Sequence, residues 1–374
     1  MASSDGKVFA VGHFPPPVHG MAVATARFAD DLVAFGSEVV RLDISGRSLQ
    51  RDPAHHALRV ARALRAAGMM LRRASRGDAV YLGSDAGLGM LYTLLIALTA
   101  RGAGLRLFVH HHSYAYIHKR MALMAALVRA TGRSAVHVFS CDAQAAQFRA
   151  HYGRALGVDV LPIAYVLDDL PSIEGPSEAK HRPFKLGHMG NLTVEKGLRI
   201  AFETLRAAQA AGLPVELVVA GPTPAAEDAH LLTVELDQST GTTYLGAVHG
   251  EAKERFFASI DAFVFPSRYR HESFGIVAAE AMAHGVPVIA YRAGCLDTEW
   301  VGGGGLVLEP QEDFAAAAVE QLRRWIEHPA TYGRARAAAR RQAEAGREAA
   351  RASAARLANR ISGGRHDAEA AQEV

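Results

Sequence analysis

The chain has 374 residues, 49% of them hydrophobic and 21% charged, with a formal net charge of +3. A domain usually runs to about 100–200 residues, so two domains are expected, and this composition excludes a disordered chain. Only two cysteines are present, Cys141 and Cys295, which excludes a disulfide scaffold or a cysteine-built zinc module and suits a reducing compartment. The opening MASSDGKVFAVGHF lacks the apolar core of a secretory signal, and the longest apolar run, MLYTLLIALTA, is too short to span a bilayer. A soluble, cytoplasmic protein is expected.

Short β-branched runs recur along the chain with helical stretches between them. In the first half these are KVFAVGHF (7–14), SEVVRLDI (37–44), DAVYLGS (78–84), LRLFVHHH (105–112), AVHVFSC (135–141) and VDVLPIAY (158–165). In the second they are FKLGHMG (184–190), VELVVAG (215–221), TTYLGAV (242–248), DAFVFPS (261–267), VPVIAYRA (286–293) and GGLVLEP (304–310). Most are apolar throughout, as in strands covered on both faces. Strand and helix alternating at this pitch predict doubly wound parallel sheets, six strands in each half. The segment 168–183, DDLPSIEGPSEAKHRP, has linker chemistry. Beyond Pro310 the chain turns Ala/Arg/Glu-rich and predicts long helices to about Ile361, followed by a polar tail without fixed structure. The expected domains are therefore α/β units over 1–170 and 184–330, with C-terminal helices and tail over 331–374.

Charge is unevenly distributed. Residues 1–170 hold two lysines and 17 arginines against 12 acids, which favours an anionic partner or surface. Aromatic residues make up 7% and no nucleic-acid motif is visible, so nucleic acid is not expected. The stretches RVARALRAAGMMLRRASRG (59–77) and YAYIHKRMALMAALVRATGR (114–133) mix arginine with apolar residues. An amphipathic surface on anionic membrane and an ordinary helix with a solvated arginine face both fit them.

Two Rossmann-like domains would face a deep cleft, with ligands at the carboxyl ends of the strands. Four segments there carry chemistry. In PSRYRHESFGIVAAEAMAHGVPVIA (266–290) a helix is expected to start near Glu272–Ser273. Its first amides and positive dipole end would suit a phosphate or sugar hydroxyls. Glu280 would then lie roughly 12 Å along the axis from Glu272, although a dipole-stabilising Glu272 and a solvated Glu280 fit equally well. In HMGNLTVEKGLRIAFETL (188–205), Gly190 permits a tight turn and Lys196–Gly197 stand at a helix start, where an ammonium would clamp a diphosphate. A solvated lysine in a turn is the plainer reading. The spacing is not that of a Walker A loop, and no G-x-G-x-x-G follows the first strand, which disfavours a dehydrogenase. In GHFPPPVHGMAVATARFADDLVAFGSEVVRL (12–42), Gly20 allows close approach to a ligand before a helix beginning near Met21, and a rigid strand-to-helix connection is the alternative. HHHS (110–113) ends the fourth strand, with His110 and His112 on one face and His111 on the other. A cleft-lining or catalytic histidine is expected there rather than a zinc ligand.

Together these segments resemble a retaining glycosyltransferase of family 4 with the GT-B fold. The hallmark stands as Glu272-Ser-Phe-Gly-Ile-Val-Ala-Ala-Glu280, HMGNLTVEKG resembles the family's diphosphate turn, and PPPVHGMAVATARFADDL resembles its N-terminal glycine loop. The resemblance covers approximately residues 7–310. It implies that Glu280 holds the nucleotide ribose, that Glu272 with Ser273 and the Phe274 and Gly275 backbone holds the donor sugar, and that Lys196 binds the diphosphate, approached by Gly20. His112 matches the family's cleft histidine, with His110 as the alternative, and the catalytic pair implied is His112 and Glu272. Asn191 stands where the family often has arginine, so Arg268 or Arg270 would have to replace that charge, and His19 stands where a glycine is usual.

The implied reaction moves a sugar from a nucleoside-diphosphate sugar to a hydroxyl acceptor with retention, without metal or cofactor. The acceptor would be a glycan or lipid-linked saccharide, as in polysaccharide biosynthesis, with peripheral contact at the inner face of the cell membrane. A sugar-phosphate synthase, a nucleotide-sugar epimerase and a non-catalytic nucleotide-sugar binding module are the alternatives on the same fold.

Overall fold

The structure, a computed structural model, describes residues 6–17, 19–46, 53–167 and 183–363. All twelve expected strands are present. The first six are β1 (Val8–Gly12), β2 (Val39–Asp43), β3 (Ala79–Ser84), β4 (Arg106–His111), β5 (Val136–Phe139) and β6 (Gly157–Val160). The second six are β7 (Phe184–Met189), β8 (Val215–Ala220), β9 (Thr242–Tyr244), β10 (Ala262–Phe265), β11 (Val288–Tyr291) and β12 (Gly305–Leu308). Every pairing is parallel. Strands β1, β3, β5, β10 and β11 are buried along their whole length, as unbroken apolar runs require when helices cover both faces.

The two sheets differ in strand order. The first runs β2-β1-β3-β4-β5-β6 and the second β12-β11-β10-β7-β8-β9. The direction of winding therefore reverses between β1 and β3 in one, and between β7 and β10 in the other. Loops leaving adjacent strands at such a reversal diverge to opposite faces and open a crevice at the strands' carboxyl ends. Each unit has its own core: Phe9, Val11, Leu82 and Val109 anchor the first, and Leu186, Leu217, Val264 and Phe314 the second.

The chain divides into one compact unit ending at Val166 and rejoined from Glu348 onward, and a second from Leu167 to Arg347. This differs from the expected boundaries at 170, 184 and 330. Helix Phe314–Glu327 lies in the second unit, inside the expected 184–330, whereas helix Pro329–Ser362 is divided between the two units. Early in that helix Ala339 meets Gly304, where a Cβ would lie 2.5 Å from the Ala339 Cα. At its end, Arg106 of β4 donates to the carbonyls of Arg360 (3.0 Å) and Ile361 (2.7 Å), and Ser37 and Ser362 join hydroxyls at 2.6 Å. Those carbonyls have no partner inside the helix, and a guanidinium is well suited to them. The expected linker 168–183, apart from Pro183, and the expected tail beyond Gly363 lie outside the described residues.

The strands bury an unusual number of imidazoles. His110, His111 and His137 are fully buried and His188 nearly so. His111 Nδ1 meets the Tyr116 hydroxyl at 3.2 Å and its Nε2 meets His137 Nδ1 at 2.9 Å, while His188 faces the Val264 carbonyl at 3.1 Å. Burial lowers His137 and His188 to about 4 and holds His110 and His111 well below the ordinary value.

Two predictions follow from this packing. Replacing Arg106 with alanine removes both carbonyl bonds at the end of the last helix, at about 1.5–3 kcal/mol for hydrogen bonds to a charged group. Amide exchange across 350–362 should accelerate while helix Phe314–Glu327 is unaffected; uniform protection would refute the anchoring role. The buried histidines stay neutral in the folded chain but take up protons near pH 6.5 once unfolded. Stability should therefore be level above about pH 7 and fall as pH drops from 6.5 towards 4. One histidine contributes about 1.4 kcal/mol per pH unit in that window, so even two would make the loss steep. Denaturation midpoints measured between pH 8 and pH 4.5 test this, and a flat profile would contradict it.

Candidate functional site

At the reversal in the second sheet, two loops leave β7 and β10 side by side. The first, Gly190–Gly197, leads into helix Leu198–Ala210, as expected. Its last residue, Gly197, has φ +91°, and a Cβ there would lie 2.4 Å from the Pro266 carbonyl oxygen. Only glycine accepts both the left-handed backbone and that approach. The Arg268 amide donates to the Glu195 carbonyl at 2.8 Å and so ties the second loop to the first.

This junction sets Lys196 against Glu272. Lys196 Nζ lies 2.5 Å from Glu272 Oε2, which also accepts from the Ser267 hydroxyl at 3.2 Å. The ammonium stands over the Tyr269 ring, 4.7 Å from its centroid. Both side chains are mostly shielded, at 22% and 11% exposure. Lys196, Asn191, Arg199 and Tyr269 line one cavity of about 890 Å³ within the second unit. Arg199, in the first turn of the helix, supplies a second cation there. The sequence signal was its i+3 spacing from Lys196, which goes unnoticed when only the turn is read. Arg268 does not fill that place: its guanidinium holds the Tyr291 hydroxyl at 2.8 Å and the Pro310 carbonyl at 2.9 Å. Arg270 is exposed.

The Glu272–Glu280 segment departs from expectation in one respect. The helix begins at Ile276, not near Glu272–Ser273, and spans Ile276–Ala283. Gly275 interrupts it with φ +76°, and a Cβ there would lie 2.8 Å from the Phe265 ring. Glu272 and Ser273 therefore sit on the loop, and the 12 Å helical spacing between the two glutamates does not apply. The unshared amides of the first turn are those next to Gly275 instead of those of Ser273 and Phe274. The Phe274 side chain is buried edge-on against Trp300, with centroids 4.8 Å apart, so it packs the loop and leaves only its backbone to a ligand. The Ser273 carbonyl accepts from the Cys295 amide at 2.8 Å.

Glu280 does not line the Lys196 cavity. Its Oε1 lies 2.7 Å from Nζ of Lys253, on helix Glu251–Ser259. Burial pushes its carboxyl above the usual range, and Lys253 opposes that shift. Nothing in the local sequence singles out Lys253, because its partner lies 27 residues further along.

The first unit gathers a second polar cluster at its own reversal, after β1 and β3. Helix Gly20–Ala34 starts at Gly20, close to the expected position, and His19 caps it by accepting from the Ala22 amide at Nδ1 (3.4 Å). That bond leaves the ring proton on Nε2, which donates to His13 Nδ1 at 3.2 Å. His13 Nε2 in turn faces Asp85 Oδ1 at 3.1 Å, and Arg59 binds Oδ2 at 2.7 Å. Burial of Asp85 disfavours its charge, but His13 and Arg59 outweigh this and hold its carboxyl below the usual range. Burial, aided by His13, lowers His19 to about 4.

His112 stands beside this cluster. The rings of His110 and His112 are 4.1 Å apart on one face, and His111 stacks on Phe139 on the other, as strand alternation predicts. His110 is committed to the Tyr81 hydroxyl at 2.5 Å and His111 to the core. His112 Nε2 has no hydrogen-bond partner among the described residues, and burial, then His19 and His13, lower its ring to about 3. His13 and Asp85 were not singled out in the sequence, and His19 was noted only as standing where a glycine is usual. Their one signal was position: His13 follows β1 and Asp85 follows β3. Among the described residues no group of three or more His, Cys, Asp or Glu could hold a metal ion.

Comparison with known proteins places the second unit. Residues 183–328 match the family model described as glycosyl transferases group 1. D-rhamnosyltransferase WbpZ of Pseudomonas aeruginosa is 34% identical over 145 residues, 38% of this chain and 35% of that protein. O-antigen chain mannosyltransferase B of Escherichia coli is 41% identical over 75 residues, 20% of this chain and 19% of that protein. The chain thus spans about a third or less of the length of the curated relatives it matches. Likeness in fold extends much further. Anabaena HepE, solved in complex with UDP, superposes with a TM-score of 0.70 at 17% identity over 95% of this chain and 99% of the other. WaaG, a glycosyltransferase involved in lipopolysaccharide biosynthesis, gives 0.61 at 18% identity over 96% and 100%. The chain has the α/β fold of GT-B glycosyltransferases, and the segment that holds Lys196, Glu272 and Glu280 matches the glycosyl transferases group 1 family.

Proposed function

We propose that the chain is a retaining glycosyltransferase that moves a hexose from a nucleoside-diphosphate sugar to a hydroxyl of a glycan or lipid-linked saccharide, without metal. The observation that carries this reading is the Lys196–Glu272 pair at the strand-order reversal of the segment that matches group 1 glycosyl transferases. UDP and UDP-glucose occupy HepE, which shares the fold, so a nucleotide sugar is the donor class tested first.

The ammonium of Lys196 is held by the Glu272 carboxylate. A diphosphate entering the cavity would compete for that ammonium, and Arg199 would add a second charge. Two cations and helix amides aimed at the leaving oxygens stabilise charge that grows as the glycosidic bond breaks. Glu272, shared with Lys196 and Ser267, would accept from donor-sugar hydroxyls together with the Ser273, Phe274 and Gly275 backbone. Glu280 would take the ribose hydroxyls, and Asn191 would contribute an amide in place of the charge usual at its position. No carboxylate is assigned as nucleophile. Attack on the face left by the diphosphate, with the leaving phosphate taking the proton, accounts for retention.

In the first unit, Gly20 at the helix start would permit close approach of a phosphate. His112 would present Nε2 to a substrate hydroxyl. A ring lowered to about 3 is neutral at pH 7, so it would act as a hydrogen-bond partner and not as a positive charge.

A thermal-shift panel with UDP, GDP, TDP, CDP and ADP tests the donor site. At about 100 times its dissociation constant a ligand adds about 2.7 kcal/mol of stability. One diphosphate should raise the melting temperature of the native chain, and Lys196→Ala should abolish the shift. Glu272→Gln should behave differently: it frees Lys196, so the diphosphate shift should persist while sugar transfer falls about 100-fold from loss of positioning. If no diphosphate stabilises the native chain, or Glu272→Gln loses diphosphate binding as fully as Lys196→Ala, these roles are wrong. A sugar-phosphate or an epimerised nucleotide sugar as product would instead identify one of the alternative enzymes.

A further inference from the structure

We propose that His284 is a positioning residue for nucleotide binding: as an imidazolium it locks helix Glu251–Ser259 to helix Ile276–Ala283 and so presents Glu280 to the ribose. The inference rests on the donor reading above and adds to it the group that holds the ribose carboxylate in place.

Helix Ile276–Ala283 has only eight residues, and its last four carbonyls, which lack partners inside the helix, are all bonded. The His284 amide donates to the Glu280 and Ala281 carbonyls, Val286 also donates to Ala281, and Gly285 donates to Met282. From the last helix, Arg340 donates to the Ala283 carbonyl at 2.6 Å and Arg336 to that of Gly285 at 3.2 Å. The backbone on either side of His284 is thereby fixed. Its side chain is 11% exposed.

Both nitrogens of that ring meet acceptors. Nδ1 lies 2.8 Å from the Glu280 carbonyl oxygen, and Nε2 lies 2.6 Å from Glu254 Oε2. A carbonyl and a carboxylate only accept, whereas a neutral imidazole has one donor and one acceptor. Making both contacts therefore takes a proton on each nitrogen, and the ring is a cation. It stacks on Phe257, with centroids 4.8 Å apart and planes at 27°.

Glu254 follows Lys253 directly, and His284 stands one helical turn beyond Glu280. Two bridges therefore cross between the same two helices, Lys253 to Glu280 at 2.7 Å and Glu254 to His284. In the first the cation stands on Glu251–Ser259, and in the second the anion does. Loss of the His284 proton would leave one ring contact unmade and Glu254 without its opposite charge. Lys253 would then be free to shift against Glu280. The charged groups that face the ring are Glu254 and Lys253 from one helix, Glu280 from the helix it caps, and Arg336 and Arg340 from the last helix. Burial pushes the Glu280 carboxyl up; Lys253 opposes this most, His284 opposes it further, and Glu254 adds to it.

The test compares a nucleotide with inorganic pyrophosphate on the full chain, because Glu280 does not line the cavity in which pyrophosphate would meet Lys196. UDP, GDP, TDP, CDP and ADP are titrated, and the tightest is carried forward. His284→Gln and Glu254→Ala should each weaken that nucleotide about tenfold, as for a lost hydrogen bond to a charged group, and leave pyrophosphate unchanged. Glu254→Gln should retain affinity, since its amide can donate to a neutral ring or accept from a charged one. Nitrogen-15 shifts of the His284 ring should show both nitrogens protonated at pH 7. The nucleotide-to-pyrophosphate affinity ratio of the native chain should fall as pH rises through the interval in which the ring loses its proton, and Glu254→Gln should make it level. A ring with one proton at pH 7, an unchanged ratio in Glu254→Ala, or Glu254→Gln as weak as Glu254→Ala would each overturn the proposal. Glu254 is half exposed, so its variants decide the question if His284→Gln fails to fold. If neither nucleotide nor pyrophosphate binds the native chain, the donor reading fails and this inference with it; if nucleotide binds and the Glu254 variants leave it untouched, this inference fails alone.

Discussion

The candidate site depends on the contact between two backbones, Gly197 against Pro266, where the loops after β7 and β10 meet at 2.4 Å from a would-be Cβ. Any side chain at position 197 would force those loops apart, and Lys196 would lose its place against Glu272. Strand order makes the contact possible, because β7 and β10 are neighbours at the point where the second sheet reverses. The hydrogen bond from the Arg268 amide to the Glu195 carbonyl then fixes the register of the two loops. A cation and a carboxylate are thereby held in contact. Such a partly shielded pair contributes little net stability; its consequence is that the lysine is already oriented.

The first unit uses the same topological device with different chemistry. Its reversal, between β1 and β3, is lined by imidazoles instead of a lysine. Burial keeps His19 and His112 neutral, and Asp85 and Arg59 compensate each other. The helix start that offers bare amides in a glycine loop is here capped by His19. A neutral, hydrogen-bonding surface in one unit thus contrasts with a cationic cavity in the other.

Much of this was legible in the residues. Apolar runs marked most of the strands, and the prolines and glycines that bound them marked the loops. The pattern at Glu272–Glu280 and the turn at Lys196 pointed to the segment that matches the group 1 family. Less legible were the partners that close each site. Lys253 reaches Glu280 from a separate helix, and Asp85 reaches His13 from 72 residues away along the chain. The start of helix Ile276–Ala283 was misplaced because local pattern carries no record of the Phe265 ring that forces Gly275 into its left-handed turn.

Sequence alone determined the α/β class, the twelve strands and the uneven charge, and it singled out the two glutamates and the lysine as candidates. These rest on periodicity, composition and short spacing, which are properties of neighbouring residues. Tertiary structure decided the order of strands in each sheet, the sharing of the last helix between the units, and which charges pair. It also decided that Glu280 and Lys196 belong to different ion pairs. The physical reason is common to all of these: strand pairing and burial join groups far apart in sequence, and a local pattern specifies what a residue can do but not what it will touch.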